Sequence, residues 1–335
     1  MRMTEDQRKA VLRQSPRAVP AAVSVLPAAW MKHREALEAI VRRYPHLFPG
    51  DGGAGRDYDA VWSPTYVEGR HVDAWGCEWS NVKTGMDGLV TGHPLPRRED
   101  VRALEPPEAL LGGFPHGFMY LRLADLRGFE NLMIDFAEEP PELQILIDKV
   151  LDFNLREAEN VLGRLRKTES KDDLVVFGDD LGHQTSLPMS PAMWRKYLKP
   201  CFTRIFAPFR TDGRLVYLHS DGCIHPIIPD LIDCGVDVIN PQIGANGLDN
   251  LVRTCRGQIC VDLDLDRQMF PFASTGEIDA HVREAVEALG SPEGGLWLKA
   301  EIGDDVPLEN IEAVCVALDR HRMRFSGERG GGMRP

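Results

Sequence analysis

Residues 214–222 read RLVYLHSDG, an apolar run that turns polar only at its carboxyl end, in His219 and Asp221. The same form returns along the chain. Residues 173–180 read DLVVFGDD, 236–242 VDVINPQ, 258–266 QICVDLDLD and 295–302 GLWLKAEI. Helical stretches separate these runs: one opened by Ser190-Pro191, then Pro226–Cys234, about 247–255, about 276–289, and Pro307–His321. Strand–helix alternation of this kind implies a parallel sheet with helical crossovers. Both a doubly wound sheet and a closed barrel would fit. Successive strands that each deliver polar groups at one end favour the barrel, because an open sheet gathers them at a single switch point. No Gly-rich phosphate loop follows any of the runs, which weakens a nucleotide-binding reading. The fold expected is α/β, a TIM-like (β/α)8 barrel.

Upstream the signal is less regular. The run FMYLRLA (118–124) reads as a further strand, followed by helices over about 125–137 and 141–166. Residues 31–116 form an N-terminal elaboration, with a helix from Arg34 to Tyr44 and irregular strands and hairpins around Tyr58, Trp62, Tyr66 and Trp75. Residues 1–30 carry no period and are taken as a partly flexible extension. The Gly-rich end, 326–335, reads as a flexible tail, so residues 31–325 make one barrel domain with its elaboration.

Composition narrows the function. The 335 residues are 43% hydrophobic and 27% charged, enough for a full core. A formal charge of −12 opposes nucleic acid and anionic membrane as partners and leaves a small molecule. No window approaches the roughly 18 apolar residues of a spanning helix, and the first residues lack the apolar core of a secretory signal, so a cytoplasmic location is expected. The seven cysteines are scattered and contain no CxxC, which suggests buried thiols and neither a disulfide framework nor a zinc ribbon.

The strand ends supply the candidate chemistry. His219 and Asp221 stand at i, i+2 and share a strand face, so imidazole and carboxylate can converge on one ion or one substrate; alternatively the Asp orients the His. Glu301 ends the last apolar run and, if the barrel closes, joins them. One His with two carboxylates is a plausible zinc set with room for a fourth ligand. Asp179 and Asp180 are paired carboxylates whose pKa values would split in a dry pocket, leaving one as general acid; the alternative is a loop cap. Asp179, Asp180 and Asp221 are thus the catalytic candidates. His93, Gln184, Asn240, Gln242, Asp262 and Asp264 are expected to line the substrate pocket.

The segments WGCEWSNV (75–82), GHPLP (92–96), FGDDLGHQTSLPMSPAMWRKYLKP (177–200), YLHSDGCIHPIIPDLIDCGVDVINPQ (217–242) and PLENIEA (307–313) together resemble the uroporphyrinogen decarboxylase superfamily, especially its corrinoid-dependent methyltransferases. The resemblance implies a distorted (β/α)8 barrel with its site at the carboxyl end. In the methyltransferase branch it implies a zinc held by a His-x-Cys pair and a late Cys, which activates a methyl donor for transfer to a corrinoid protein. Here His219 matches the first ligand, Asp221 stands at the first Cys position, and Glu301 is nearest to the late one. Carboxylates in place of thiolates favour an oxygen-bearing donor, so a small O-methylated compound is expected. The Arg-rich N-terminal signature of the tetrapyrrole decarboxylases is not found, which makes decarboxylation the alternative reading. A non-catalytic ligand-binding barrel is a third.

Overall fold

The computed structural model describes residues 1–50, 56–61, 63–108, 110–168 and 173–326; Trp62 and the Gly-rich residues 327–335 lie outside the described residues. Nine strands are formed among them: β1 (Ala21–Val25), β2 (Gly69–Val72), β3 (Glu78–Asn81), β4 (Leu89–Gly92), β5 (Leu174–Gly178), β6 (Leu215–Ser220), β7 (Val238–Pro241), β8 (Cys260–Asp264) and β9 (Leu296–Ile302). The chain divides into two compact units. The first comprises Met1–Met3, Gly69–Asn81 and Gly88–Pro241, the second Thr4–Glu68, Val82–Asp87 and Gln242–Pro335.

In the first unit β5, β6 and β7 run parallel, as apolar runs joined by helices must. The register sets Gly178 beside His219 and His219 beside Asn240, so the polar carboxyl ends lie level. Helices Pro191–Tyr197 and Lys199–Thr211 cross from β5 to β6. The first starts where expected, its Ser190 hydroxyl accepting the Met193 N–H at 3.1 Å. Phe177 of β5 packs with Phe118, Phe202 and Phe206 in a cluster of rings at centroid distances of 4.8 to 6.3 Å, and all four are buried. An antiparallel sheet β2–β3–β4 forms within residues 69–92, while Tyr58, Tyr66 and Trp75, around which strands were expected, lie outside its strands.

The run FMYLRLA is not a strand. Tyr120–Arg127 is a helix that buries Tyr120, Leu123 and Leu126 on one side, and a second helix, Phe129–Glu138, follows it. An ion pair pins the two together. Arg127 donates to Asp135 at 2.7 Å and to the carbonyls of Leu95 and Pro96 at 2.9 and 2.8 Å, while Arg98 takes the other Asp135 oxygen at 2.6 Å. Arg127 is 4% exposed and Asp135 2%. Removing one partner strands a buried charge, so Arg127→Ala is expected to lower stability by about 3–5 kcal/mol in urea unfolding. A change under about 1 kcal/mol would mean that water replaces the guanidinium there.

In the second unit β9 lies between β1 and β8, all parallel. The strand Ala21–Val25 thus arises in the segment read as an extension, with Ser24 beside Glu301. The helix expected from Arg34 runs Pro27–Arg43 and is interrupted at Arg34, where φ is 43°. The later helices, Leu248–Cys255, Thr275–Leu289 and Leu308–His321, fall where expected. Among the described residues no helix is long and apolar enough to cross a membrane.

Candidate metal centre

The carboxyl ends of β5 and β6 bring His116, Asp180 and His219 together in the first unit. One ligand atom from each lies within 4.8 Å of the other two. His219 lies one residue before the end of β6 and is oriented by β7: its Nδ1 meets Asn240 Oδ1 at 2.7 Å, and Asn240 is wholly buried. An amide oxygen only accepts, so Nδ1 donates and the neutral ring carries its lone pair on Nε2. That nitrogen stands 3.3 Å from Asp221 Oδ1 and 3.9 Å from Asp180 Oδ1. A lone pair facing two carboxylates is repelled unless a proton or a cation comes between them.

His116 precedes the helix Tyr120–Arg127. Its Nε2 meets Asp180 Oδ2 at 3.0 Å, and its ring centroid is 5.6 Å from that of His219. Gly178 makes room for it, since a Cβ there would come within 2.6 Å of His116 Nδ1. The His116 side chain is about half exposed, and the desolvation of its enclosed part would lower the imidazole, but the hydrogen bond and charge of Asp180, with Asp179 and Asp221 behind it, push it up to about 9. Asp180 shifts the other way. Burial would raise its carboxyl, yet His116, the Asp221 N–H at 2.9 Å and His219 hold it below the usual range.

Asp179, expected to share the chemistry, is wholly buried. It accepts the N–H groups of Met119 (3.2 Å), Tyr120 (2.6 Å) and Leu121 (2.9 Å), three of the orphan donors at a helix start. Burial pushes its carboxyl up to about 7 against these donors. Its neighbours are fixed as tightly. Leu181 N–H donates to Ser220 Oγ at 2.9 Å and Cys223 N–H to the His183 carbonyl at 2.7 Å, so the loops after β5 and β6 lie back to back. Cys223 is a buried thiol, as are the other six cysteines.

The remaining candidates divide between the units. Gln184 is exposed on the loop after β5, and His93 donates from Nδ1 to the Asp125 carbonyl at 2.8 Å. In the second unit Gln242 bridges Asp264 at the end of β8, with Asp264 buried and Asp262 half-buried. Glu301 belongs to this unit too and is paired with Arg267. Sequence reasoning missed His116: it lies in a loop, FPHG, outside any periodic run, and only the glycine after it hints at a tight approach.

The donor set fits a zinc-like cation. Zinc binds nitrogen and oxygen at about 2.0–2.2 Å, which sets tetrahedral ligand atoms about 3.3–3.5 Å apart. Asp180 stands 3.0 Å from His116 and 3.9 Å from His219, either side of that spacing, and all three ligand atoms lie within 4.8 Å of one another. A family model described as uroporphyrinogen decarboxylase (URO-D) matches residues 118–321. No curated protein matches the chain. Among solved structures, a methyltransferase from Methanosarcina mazei is 20% identical, with a TM-score of 0.61 over 94% of this chain and 97% of that one. That likeness shows the fold, an α/β barrel of TIM-like type. A B12-independent methionine synthase from Shewanella sp. W3-18-1 (13% identity, 56% of each chain, TM-score 0.36) and a dihydropteroate synthase from Xanthomonas albilineans (16%, 47% of this chain and 58% of that, TM-score 0.32) are too distant to carry an argument.

Proposed function

From its membership of the uroporphyrinogen decarboxylase family, to which this chain belongs, we propose an enzyme that transfers a methyl group from a small O-methylated donor to a corrinoid on a partner protein. A zinc-like cation would be held by His116, Asp180 and His219. The observation that carries this reading is the Nε2 of His219, aimed between the carboxylates of Asp180 and Asp221 while Asn240 holds the other ring nitrogen. When bound, the cation supplies Lewis-acid polarisation of the donor oxygen. Imidazole and carboxylate, in place of thiolates, suit an oxygen-bearing donor.

Each residue then has a task. Asn240 fixes the His219 tautomer, as partners of metal-binding histidines do. Asp221 stands 3.3 Å from His219 Nε2, where it would serve as a further ligand. Asp179 positions the helix that follows His116. Its oxygens already accept three N–H groups, so the decarboxylase alternative, which would aim it at pyrrole N–H groups, gains nothing from the geometry. Glu301, anticipated as the third ligand, is engaged by Arg267, and His116 takes its place in the proposed set.

Elemental analysis of protein purified without chelator tests the set. Near-stoichiometric metal is expected in the wild type and in Glu301→Ala, and little in His116→Ala. Loss in Glu301→Ala with retention in His116→Ala would restore the grouping of His219, Asp221 and Glu301. A wild type that takes up no zinc even when it is supplied would remove the metal from the mechanism.

A further inference from the structure

Successive side chains of a strand point to opposite faces of its sheet, and residues paired across parallel strands share a face. Gly178 is paired with His219 and His219 with Asn240, and a Cβ on Gly178 would stand 2.6 Å from His116 Nδ1. The metal centre therefore belongs to one face of β5–β6–β7. Two residues earlier on the same face come Val176 of β5, its partner Tyr217 of β6 and, beside that, Val238 of β7. A strand rises about 3.3 Å per residue, so this row lies about 6.6 Å below the level of His219. The opposite face is packed, through Phe177, on the cluster of phenylalanine rings.

The row is closed at two strands and open at the third. Val238 is wholly buried and Tyr217 is 8% exposed, but Val176 is 44% exposed, the one exposed residue of β5, β6 and β7. Fraying does not account for it. β5 is paired with β6 along its length, and its other edge is held at both ends. Leu174 N–H donates to the Met1 carbonyl at 3.2 Å and the Leu174 carbonyl accepts the Met1 amino group at 2.7 Å, while the Gly178 carbonyl accepts Gly117 N–H at 2.8 Å. A fixed apolar side chain thus faces open space just below the position of His116. Apolar surface is better covered by an apolar group than by water, and a recess of that kind beside a few placed polar groups is the usual form of a small-molecule site.

We propose that Val176 is the floor of the donor site and sets its size: the donor carries an apolar alkyl or aryl group on its methoxyl oxygen, and that group lies on Val176 while the oxygen faces His116, Asp180 and His219. The inference rests on the methyl-transfer reading and names the donor class within it. An ether whose second substituent is apolar covers Val176. Methanol leaves it in water, so binding energy from the recess is available to the ether alone.

The test measures binding of 4-fluorophenol, the leaving half of an aryl methyl ether, by fluorine NMR on protein supplied with zinc, which needs no turnover. Methyl transfer to free cob(I)alamin from methanol, anisole and 2-methoxynaphthalene is followed in parallel. A single methylene in an apolar pocket is worth about 10–200-fold in discrimination. Val176→Phe fills the recess from its floor. It is expected to weaken 4-fluorophenol binding at least about 10-fold and to lower the ratio of anisole to methanol kcat/KM at least about 10-fold, with bound metal unchanged. Val176→Ala removes volume and cannot overpack the strand, and should raise the ratio of 2-methoxynaphthalene to anisole kcat/KM about 10-fold. A wild type that binds no 4-fluorophenol or takes methanol and not anisole, equal binding in wild type and Val176→Phe, or rate ratios unchanged in both variants would overturn the assignment. A wild type that binds 4-fluorophenol more tightly than Val176→Phe yet transfers from no donor would instead overturn the methyl-transfer reading and leave the apolar recess standing.

Discussion

His219→Ala is expected to leave a folded protein with little bound metal and methyl transfer reduced by at least about 10³-fold. Lewis-acid stabilisation is worth several kcal/mol, and about 4 kcal/mol corresponds to that factor. The fold should survive, because His219 lies near the carboxyl end of its strand with a fifth of its side chain exposed and the β5–β6–β7 ladder does not depend on the imidazole. Asn240 sharpens the test. Asn240→Leu removes the acceptor that fixes Nδ1–H, and loss of such a partner lowers metal affinity about 10–100-fold. Asn240→Asp keeps an acceptor at that point and should retain most of the metal. Wild-type metal content in His219→Ala would dismiss His219 as a ligand.

What could be read from the sequence was whatever is written within a single strand. An apolar run ending in His219, or in Asp179 and Asp180, carries its own evidence, since apolar residues fill a parallel sheet and polar ones end it at the functional edge. Features set by distant partners were hidden. The run FMYLRLA has the apolar content of a strand, and the helix it forms starts on N–H groups held by Asp179, some 60 residues on. Ala21–Val25 is a strand because Leu298–Ile302 pairs with it from the far end of the chain. His116 belongs to no apolar period of its own. It acquires meaning only when Gly117 N–H meets Gly178 and the helix start is hung beside Asp180. The expectation that Glu301 joins His219 came from strand order alone, which says nothing of Arg267.

Gly222→Ala is expected to be the most destabilising small substitution near this site. Gly222 has φ +82°, and a Cβ there would stand 2.2 Å from the carbonyl carbon and oxygen of Gly182, which is backbone and cannot rotate away. Two costs add: the left-handed conformation, about 1–2 kcal/mol for a residue with a Cβ, and the displacement of one loop from the other. Gly213→Ala separates them. Gly213 has a similar φ of +77° with nothing within 4 Å of the added carbon, so it carries the first cost alone. Urea unfolding should therefore show a loss of about 1–2 kcal/mol for Gly213→Ala and more than about 4 kcal/mol, or insoluble protein, for Gly222→Ala. Asp221 precedes Gly222 and donates its N–H to Asp180, so any Gly222→Ala protein that does fold should bind metal weakly while Gly213→Ala binds it normally. Equal stability losses in the two variants would show that the loops after β5 and β6 can part without cost, and that their close approach does not hold Asp180 and Asp221 in place.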